Sequence, residues 1–384
     1  MLEAVRRDQG WPLPPTAEIG RTLRPCHLSG MDGLQSKTAG KGGLTYPFGE
    51  TTPDLGTVME ITPRVLWARM PLPFSLKYIN VWLLDDGDSW TIIDTGMPLD
   101  ETKQAWRDIF ETTLGGRPVK RIIVTHMHPD HVGNAGWLSR KFPGADLWMS
   151  RLEYVSCRML VADTGREAPK AGLDFYHRAG WNSEQIGVYE SRFGGFGRAV
   201  SRMPDAYCRL QNGDTLEMAG ETWQVMMGSG HSPEHACFYC AALNLFISGD
   251  QILPRISSNV SVFPTEPGAN PLSDWLASCE RLRDALPEDV FVLPGHNLPF
   301  IGAHKRCTHL IDGHETALSR LHQRLSEAPR RVIDTFPALF GRKIGEGDFG
   351  MATGEALAHI NLLMVRGQAT RSRDENGVDW YHAA

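Results

Sequence analysis

Three histidines and one aspartate fall within six residues, at His126, His128, Asp130 and His131, directly behind the apolar run Ile122-Ile123-Val124. Imidazole and carboxylate are the ligand types preferred by Zn²⁺ and neighbouring transition metals. In an extended segment the side chains of His126 and His128 point the same way, because strand side chains alternate with period two. Both can therefore reach one ion. A turn forced by Pro129 lets Asp130 and His131 swing toward a second ion beside it. The bland alternative is a chance group of surface histidines, and the density of ligand types at a strand exit weighs against it.

Further candidate ligands end other strand-like runs. His231 follows Gly228-Ser229-Gly230 after TWQVMM, Asp250 ends NLFISGD, and His296 ends VFVLPGH. Asp94, in Ile92-Ile93-Asp94-Thr95-Gly96, has the same kind of position upstream. Taken singly, each has an ordinary explanation as a loop histidine, a capping aspartate or a turn residue. Together they occupy one edge of an α/β sheet, where ligand sites gather.

The elements that must position these residues are legible as periodic runs. VLWARM, INVWLLDD and SWTIID are β-branched and aromatic and are separated by Pro, Ser and Asp-Gly, so they read as strands. Residues 100–114 put Ala105, Trp106, Ile109, Phe110 and Leu114 on one helical stripe. Strands and helices continue to alternate through DLWMS, TWQVMM, NLFISGD, a helix near 272–286 and VFVLPGH, which implies an α/β layer architecture. Residues 1–58, rich in Pro, Gly and Thr, read as a poorly structured extension, with Met31 as an alternative start. The main α/β domain is expected over 59–305. Within it, 151–205 forms a helical insertion with a Gly-rich FGGFG tract, a candidate lid over the site. Residues 306–384 turn helical, with Leu310, Leu318, Leu321 and Leu325 on one face and a helix that Gly367 can stop. An Asn-Gly hairpin signal follows, so this part is expected to be a small winged-helix-like domain.

Composition bounds the rest. The 384 residues carry 45 acidic against 39 basic groups, a net charge of −6, which disfavours an obligate nucleic-acid binder. No apolar run approaches the roughly 18–20 residues needed to span a bilayer, and the N-terminal residues lack an apolar signal core. Seven cysteines spread along the chain suit a reducing compartment. A cytoplasmic protein with no membrane contact is expected. Cys237 and Cys240, three apart in a strand-like run, face opposite sides and read as buried free thiols.

The order Asp94-Thr-Gly, His126-x-His128-x-Asp130-His131, Gly-His231, Gly-Asp250 and Pro-Gly-His296 resembles the metallo-β-lactamase-fold hydrolases over roughly residues 59–300. The resemblance implies an αββα sandwich with a dinuclear site at one edge. By matching motif, one metal would take His126, His128 and His231, and the other Asp130, His131 and His296. Asp250 would bridge them and Asp94 would orient ligands from behind. Two departures narrow the reading. The commonest zinc β-lactamases place Arg where His131 stands and Cys where Asp250 stands, and flavodiiron relatives replace His128 with Glu. The pattern is similar to thioesterases of the glyoxalase II type, lactonases and RNase Z-like nucleases. The domain order and the stretch Ser248–Arg255 look closest to the branch of the lactamase-beta-like endoribonuclease.

The expected function is a dinuclear metal-dependent hydrolase of a small acyl substrate, a thioester or lactone. Two Zn²⁺ are the expected cofactors, with Mn²⁺ or Fe²⁺ accepted by the same ligands. Asp130 is the candidate to orient the nucleophile and move its proton. His235, Tyr154, Tyr176 and His177 are candidates for contacting substrate. Two alternatives use the same residues. One is a nuclease gripping RNA through Arg342, Lys343, Arg366, Arg371 and Arg373. The other is a mononuclear-iron persulfide dioxygenase, since such relatives share the histidine-rich motif.

Overall fold

The computed structural model describes residues 43–384 together with the backbone of Thr38–Ala39. Two short strands, β1 (Thr38–Ala39) and β2 (Thr45–Tyr46), precede β3 (Met59–Thr62), β4 (Val65–Pro71), β5 (Tyr78–Asp85) and β6 (Trp90–Ile93). Helix α1 (Asp100–Thr112) leads to β7 (Val119–Ile123), and the short α2 (Pro129–Val132) and α3 (Ala135–Lys141) lead to β8 (Asp146–Ser150). Helices α4 (Arg151–Ala162), α5 (Lys170–Arg178) and α6 (Ser183–Arg192) separate β8 from β9 (Cys208–Leu210). Strands β10 (Thr215–Met218), β11 (Glu221–Gly228), β12 (His235–Cys240) and β13 (Leu245–Gly249) follow, then α7 (Pro271–Ala285), β14 (Phe291–Pro294) and β15 (Phe300–Ile301). The chain closes with α8 (Ala303–Glu327), α9 (Phe336–Leu339), α10 (Phe349–Val365) and the hairpin β16 (Ala369–Arg373) and β17 (Asp379–Ala383).

The strands form two large sheets, ordered β3-β4-β5-β6-β7-β8-β9 and β1-β2-β15-β14-β13-β12-β11-β10. Alternation along β5 shows how they are layered. Trp82 and Leu84 join a core with Phe238 and Ile247 of the other sheet, while Val81 and Leu83 turn outward onto Trp106 and Ile109 of α1. Trp82 stacks on Trp67 of β4 with ring centroids 6.2 Å apart. On the far side, Leu272 and Trp275 of α7 are fully buried against the eight-stranded sheet. Helices thus cover both outer faces, which is the expected αββα sandwich. Strands β6, β7, β8 and β9 run parallel, as do β13 and β14, so the carboxyl ends of β6, β7, β13 and β14 can deliver their following loops to a common edge.

Residues 43–58, read from the sequence as part of a poorly structured extension, join the sandwich. Thr45 pairs with Ile301 of β15, Leu44 and Tyr46 are buried, and Phe48 packs 5.9 Å from Phe291. A two-residue strand carries no period that a sequence pattern could reveal. Apart from the backbone of Thr38–Ala39, the rest of that extension, Met31 included, lies outside the described residues.

In the C-terminal part, Leu310, Leu318, Leu321 and Leu325 of α8 are buried together, and Gly367 at φ +69° ends α10. The insertion does not stand alone, because Trp181 donates from Nε1 to Thr353 Oγ1 of α10 at 3.0 Å. Cys237 and Cys240 are buried free thiols. No helix among the described residues is long and apolar enough to cross a membrane.

Candidate metal centre

Asp94 follows the last residue of β6 in the left-handed region, at φ +62°, a conformation Asp tolerates better than most side chains. From there its carboxylate accepts from the Thr125 amide at 2.9 Å and the Thr125 hydroxyl at 2.9–3.0 Å, and meets His131 Nδ1 at 2.8 Å. His128 keeps an extended backbone, and Pro129 then opens α2 at its first turn, where the missing proline N–H costs nothing. That turn carries Asp130 and His131 away from the strand direction, as the spacing predicts.

Seven side chains converge at this edge in two linked groups. In the first, His128 Nδ1 lies 3.0 Å from both His126 Nε2 and His231 Nε2. Their outer nitrogens are engaged elsewhere, His126 Nδ1 with the Thr125 hydroxyl at 3.0 Å and His231 Nδ1 with the Asn259 carbonyl at 2.7 Å. In the second, His296 Nε2 sits 3.1 Å from Asp130 and 3.4 Å from Asp250, and His131 Nε2 sits 3.4 Å from Asp250. The Tyr78 carbonyl receives His296 Nδ1 at 3.0 Å. Asp250 also lies 3.7 Å from His231, so it touches both groups.

The surroundings leave this cluster short of positive charge. Burial, with the neighbouring histidines, drives His126 well below its ordinary pKa and His128 down to about 3, and lowers His231, so the first group is three neutral imidazoles. In the second group burial works against protonation, yet Asp94, Asp250 and Asp130 raise His131 well above its usual value, and Asp250 and Asp130 raise His296 to about 10. Burial pushes Asp130 upward, but His131 and His296 outweigh it and bring the carboxyl down to about 2. His131 Nε2 and Asp250 Oδ1 face each other at 3.4 Å without forming a hydrogen bond and have no other partner, a costly state for buried polar atoms. Ligand atoms of His126, His128 and His231, of His126, His131 and Asp250, and of Asp130, His131 and His296 lie within 4.8 Å of one another. Converging lone pairs, carboxylates that draw up protons and orphaned inner atoms fit divalent cations of the zinc type. Two glycines make room for the arrangement. A Cβ on Gly295 would clash with Asp250 Oδ1, and one on Gly249, at φ +48°, would come within 2.5 Å of His235 Cε1.

Of the residues expected to touch substrate, none joins these groups. His235 is fully buried beside His126, with rings 4.6 Å apart, and its Nε2 accepts from the Asp250 amide at 3.1 Å. Tyr154 donates to the Pro204 carbonyl at 2.8 Å and stacks on Tyr207. Tyr176 packs on Trp181 in the core, and His177 meets the Asn376 carbonyl of the C-terminal hairpin at 2.8 Å. His314 on α8 lies 3.1 Å from the hydroxyl of Ser257, whose neighbour Ser258 bonds the Asp250 carbonyl.

The sequence reading missed Glu153. This fully buried residue in the first turn of α4 accepts from the Met127 amide and from the Glu234 amide, each at 2.8 Å. It therefore ties the His126–His128 segment to the loop that carries His231. An acidic residue in a helix's first turn is the ordinary sequence signature of a helix start, so nothing local marked it out.

Comparison with known proteins agrees with this geometry. A family model of the metallo-beta-lactamase superfamily matches residues 75–296, and one of the metallo-beta-lactamase-like C-terminal domain matches residues 318–384. The chain belongs to the metallo-beta-lactamase superfamily. Among solved structures, it is similar to a beta-lactamase domain protein from Burkholderia ambifaria, with 38% identity and a TM-score of 0.81 over 89% of this chain and 98% of that one. A metallo-beta-lactamase family protein from Thermus thermophilus matches with 26% identity and a TM-score of 0.71 over 85% of this chain and 100% of that one. An atrochrysone carboxyl ACP thioesterase from Cryptosporiopsis sp. (strain 8999) is 23% identical over 237 residues, 61% of this chain and 54% of that protein. Another of the same name from Aspergillus terreus is 22% identical over 61% of this chain and 55% of that protein. The chain thus spans about half the length of the curated relatives it matches.

Proposed function

We propose that the protein is a dinuclear metal-dependent hydrolase that cleaves thioesters of small acyl groups, with two Zn²⁺ as its resident ions. The observation that carries this reading is the pair of linked ligand groups with Asp250 between them. His126, His128 and His231 would hold one ion, Asp130, His131 and His296 the other, and Asp250 would reach both. Bound there, the ions would supply Lewis acidity toward a carbonyl oxygen and make water a competent nucleophile near neutral pH.

The chain's own residues do the rest. Asp94 holds His131 by Nδ1 so that Nε2 faces inward, and the Asn259 and Tyr78 carbonyls fix His231 and His296 in the same sense. Asp130 is the most exposed carboxylate of the cluster, with 19% of its side chain accessible, so it can meet both water and substrate. Its carboxylate, held ionised, is placed to accept a hydrogen bond from the nucleophile and so to orient it and relay its proton toward the departing thiolate.

The choice of a thioester is supported by the thioesterase names of the relatives. A nuclease reading draws less support, because four of the five C-terminal cations named for it, all but Lys343, have carboxylates beside them. Arg342 pairs with Asp348, Arg366 with Glu315 and Arg373 with Asp379, each at 2.6 Å, and Arg371 lies 3.7 Å from Asp379. The test is metal analysis by mass spectrometry of protein purified without added metal, with a thioester, lactone and phosphodiester panel on the same sample. Two zinc ions per chain and thioester turnover are expected. One iron per chain with oxygen consumption and no hydrolysis would overturn the reading in favour of sulfur oxidation.

A further inference from the structure

On the His296 side of the cluster a cavity of about 220 Å³ opens among Glu50, Thr52, Arg69, Tyr78, Arg255 and Asn297. It lies against the outer side of His296, since Asn297 follows His296 directly and the Tyr78 carbonyl receives His296 Nδ1 while Nε2 faces Asp130 and Asp250. The volume is small for a whole drug-sized ligand, for which pockets run to roughly 300–1,000 Å³, and suits one polar group.

Its lining is short of negative charge. The Arg69 guanidinium is half-buried and lies 3.9 Å over the Tyr78 ring. Among the described residues it has no carboxylate partner, and burial draws its pKa below the ordinary arginine value. Arg255 is paired with Glu50 at 2.7 Å, so one acidic group faces two guanidiniums. Asn297 is held at φ +66°, and its side-chain nitrogen is buried with no hydrogen-bond partner. A half-buried cation without a counter-charge and an orphaned amide donor in one cavity are both relieved by the same kind of guest, an oxyanion.

We propose that this cavity is an anion subsite of the substrate cleft, in which Arg69 and Asn297 hold a carboxylate or phosphate carried by the thioester. The proposal rests on the thioesterase reading and adds the charge of the substrate. A carboxylate would come from the acyl portion and a phosphate from the carrier of the thiol.

Three probes separate these sources: butyryl-N-acetylcysteamine, which is neutral, glutaryl-N-acetylcysteamine, with an acyl carboxylate, and butyryl-coenzyme A, with phosphates on the leaving group. One charged probe should exceed the neutral one in kcat/KM by about tenfold or more, the scale of a charge-assisted hydrogen bond. Arg69→Gln should erase that preference and Arg69→Lys should keep part of it. Asn297→Asp, which keeps the tolerance for positive φ and puts a negative charge in place of the neutral amide, should also lose it. Equal rates on all probes in the wild type, or a preference that survives Arg69→Gln, would overturn the subsite. Calorimetric titration with glutarate and with inorganic phosphate provides a readout without catalysis, and one of the two should bind about tenfold more weakly to Arg69→Gln. Arg69-dependent anion binding with no thioester turnover would uphold the subsite and sink the thioesterase reading. Turnover with no Arg69-dependent binding or preference would do the reverse.

Discussion

The two halves of the ligand cluster rest on different buried carboxylates, and the carboxylates act differently. Asp94 lies under the half formed by Asp130, His131 and His296 and touches a ligand ring directly, at His131 Nδ1. Glu153 lies under the half formed by His126, His128 and His231 and touches no ring. It holds the amides of Met127 and Glu234, and so the segments on which those rings ride. Asp94 therefore sets charge and tautomer as well as position, whereas Glu153 sets position alone. The electrostatics differ in the same way, since Asp94, with Asp250 and Asp130, raises His131, whereas burial and neighbouring imidazoles lower His126 and His128. A histidine-rich half can be assembled by geometry, while a half with alternating charges needs a fixed charge behind it.

The largest expected effect abolishes the comparison, because Asp250 serves both halves. Asp250→Ala should release or misplace metal and bring the rate to that of the metal-stripped protein, while circular dichroism stays close to wild type. Full metal content and full rate in this variant would remove Asp250 from the proposed bridging role. Next in size is Asp94→Asn, which tolerates the left-handed backbone but loses the charge. Metal affinity or activity should fall by about 10- to 100-fold, the usual scale for losing a group that orients a ligand. One ion should be lost before the other in a chelator titration. Simultaneous loss of both would mean the halves are not separately supported.

Glu153→Gln probes the other half and should act more gently on metal. Both carboxylate oxygens accept from backbone amides, so the glutamine must turn its own N–H₂ toward one of those donors. One buried amide is then left unpaired, at a cost of about 1–3 kcal/mol. A lower urea midpoint with nearly full metal content is the expected result. A metal loss as large as that of Asp94→Asn would erase the distinction between setting charge and setting position.

How much of this was legible in the sequence depends on how far apart the partners lie along the chain. The strands and the ligands behind them could be read because β-branched and apolar runs, a proline turn and the histidine spacing are all local. His126, His128, Asp130, His131, His231, Asp250 and His296 were singled out and the structure brings them together, as it does Asp94. Glu153 was not singled out, since its contacts reach 26 and 81 residues along the chain and no local pattern encodes them. The docking of the insertion onto α10 rests on Trp181 and Thr353, which are 172 residues apart. Tyr154 and Tyr176 show the opposite error. Their aromatic rings suggested contact with substrate, whereas both are spent on packing within the protein. The arginines of the C-terminal part likewise counted as free charge until their carboxylate partners were placed beside them.

The smallest expected effect on the site comes from the region least tied to it. Leu321 of α8 is fully buried in the core that the helix shares with α10 and the eight-stranded sheet. Leu321→Ala removes buried methyl groups and leaves a cavity, which costs about 2–5 kcal/mol of stability. The ligand loops leave the carboxyl ends of strands in the sandwich and are braced by Asp94, Glu153 and backbone carbonyls, none of which touches Leu321. Metal content and kcat/KM measured well below the melting temperature should therefore match the wild type. Because His314 on the same helix approaches the Ser257–Ser258 segment behind Asp250, the variant also tests whether α8 positions the cluster. A loss of metal at a temperature where the fold is intact would make α8 a support of the bridging carboxylate, and the two-carboxylate account of the site would need a third member.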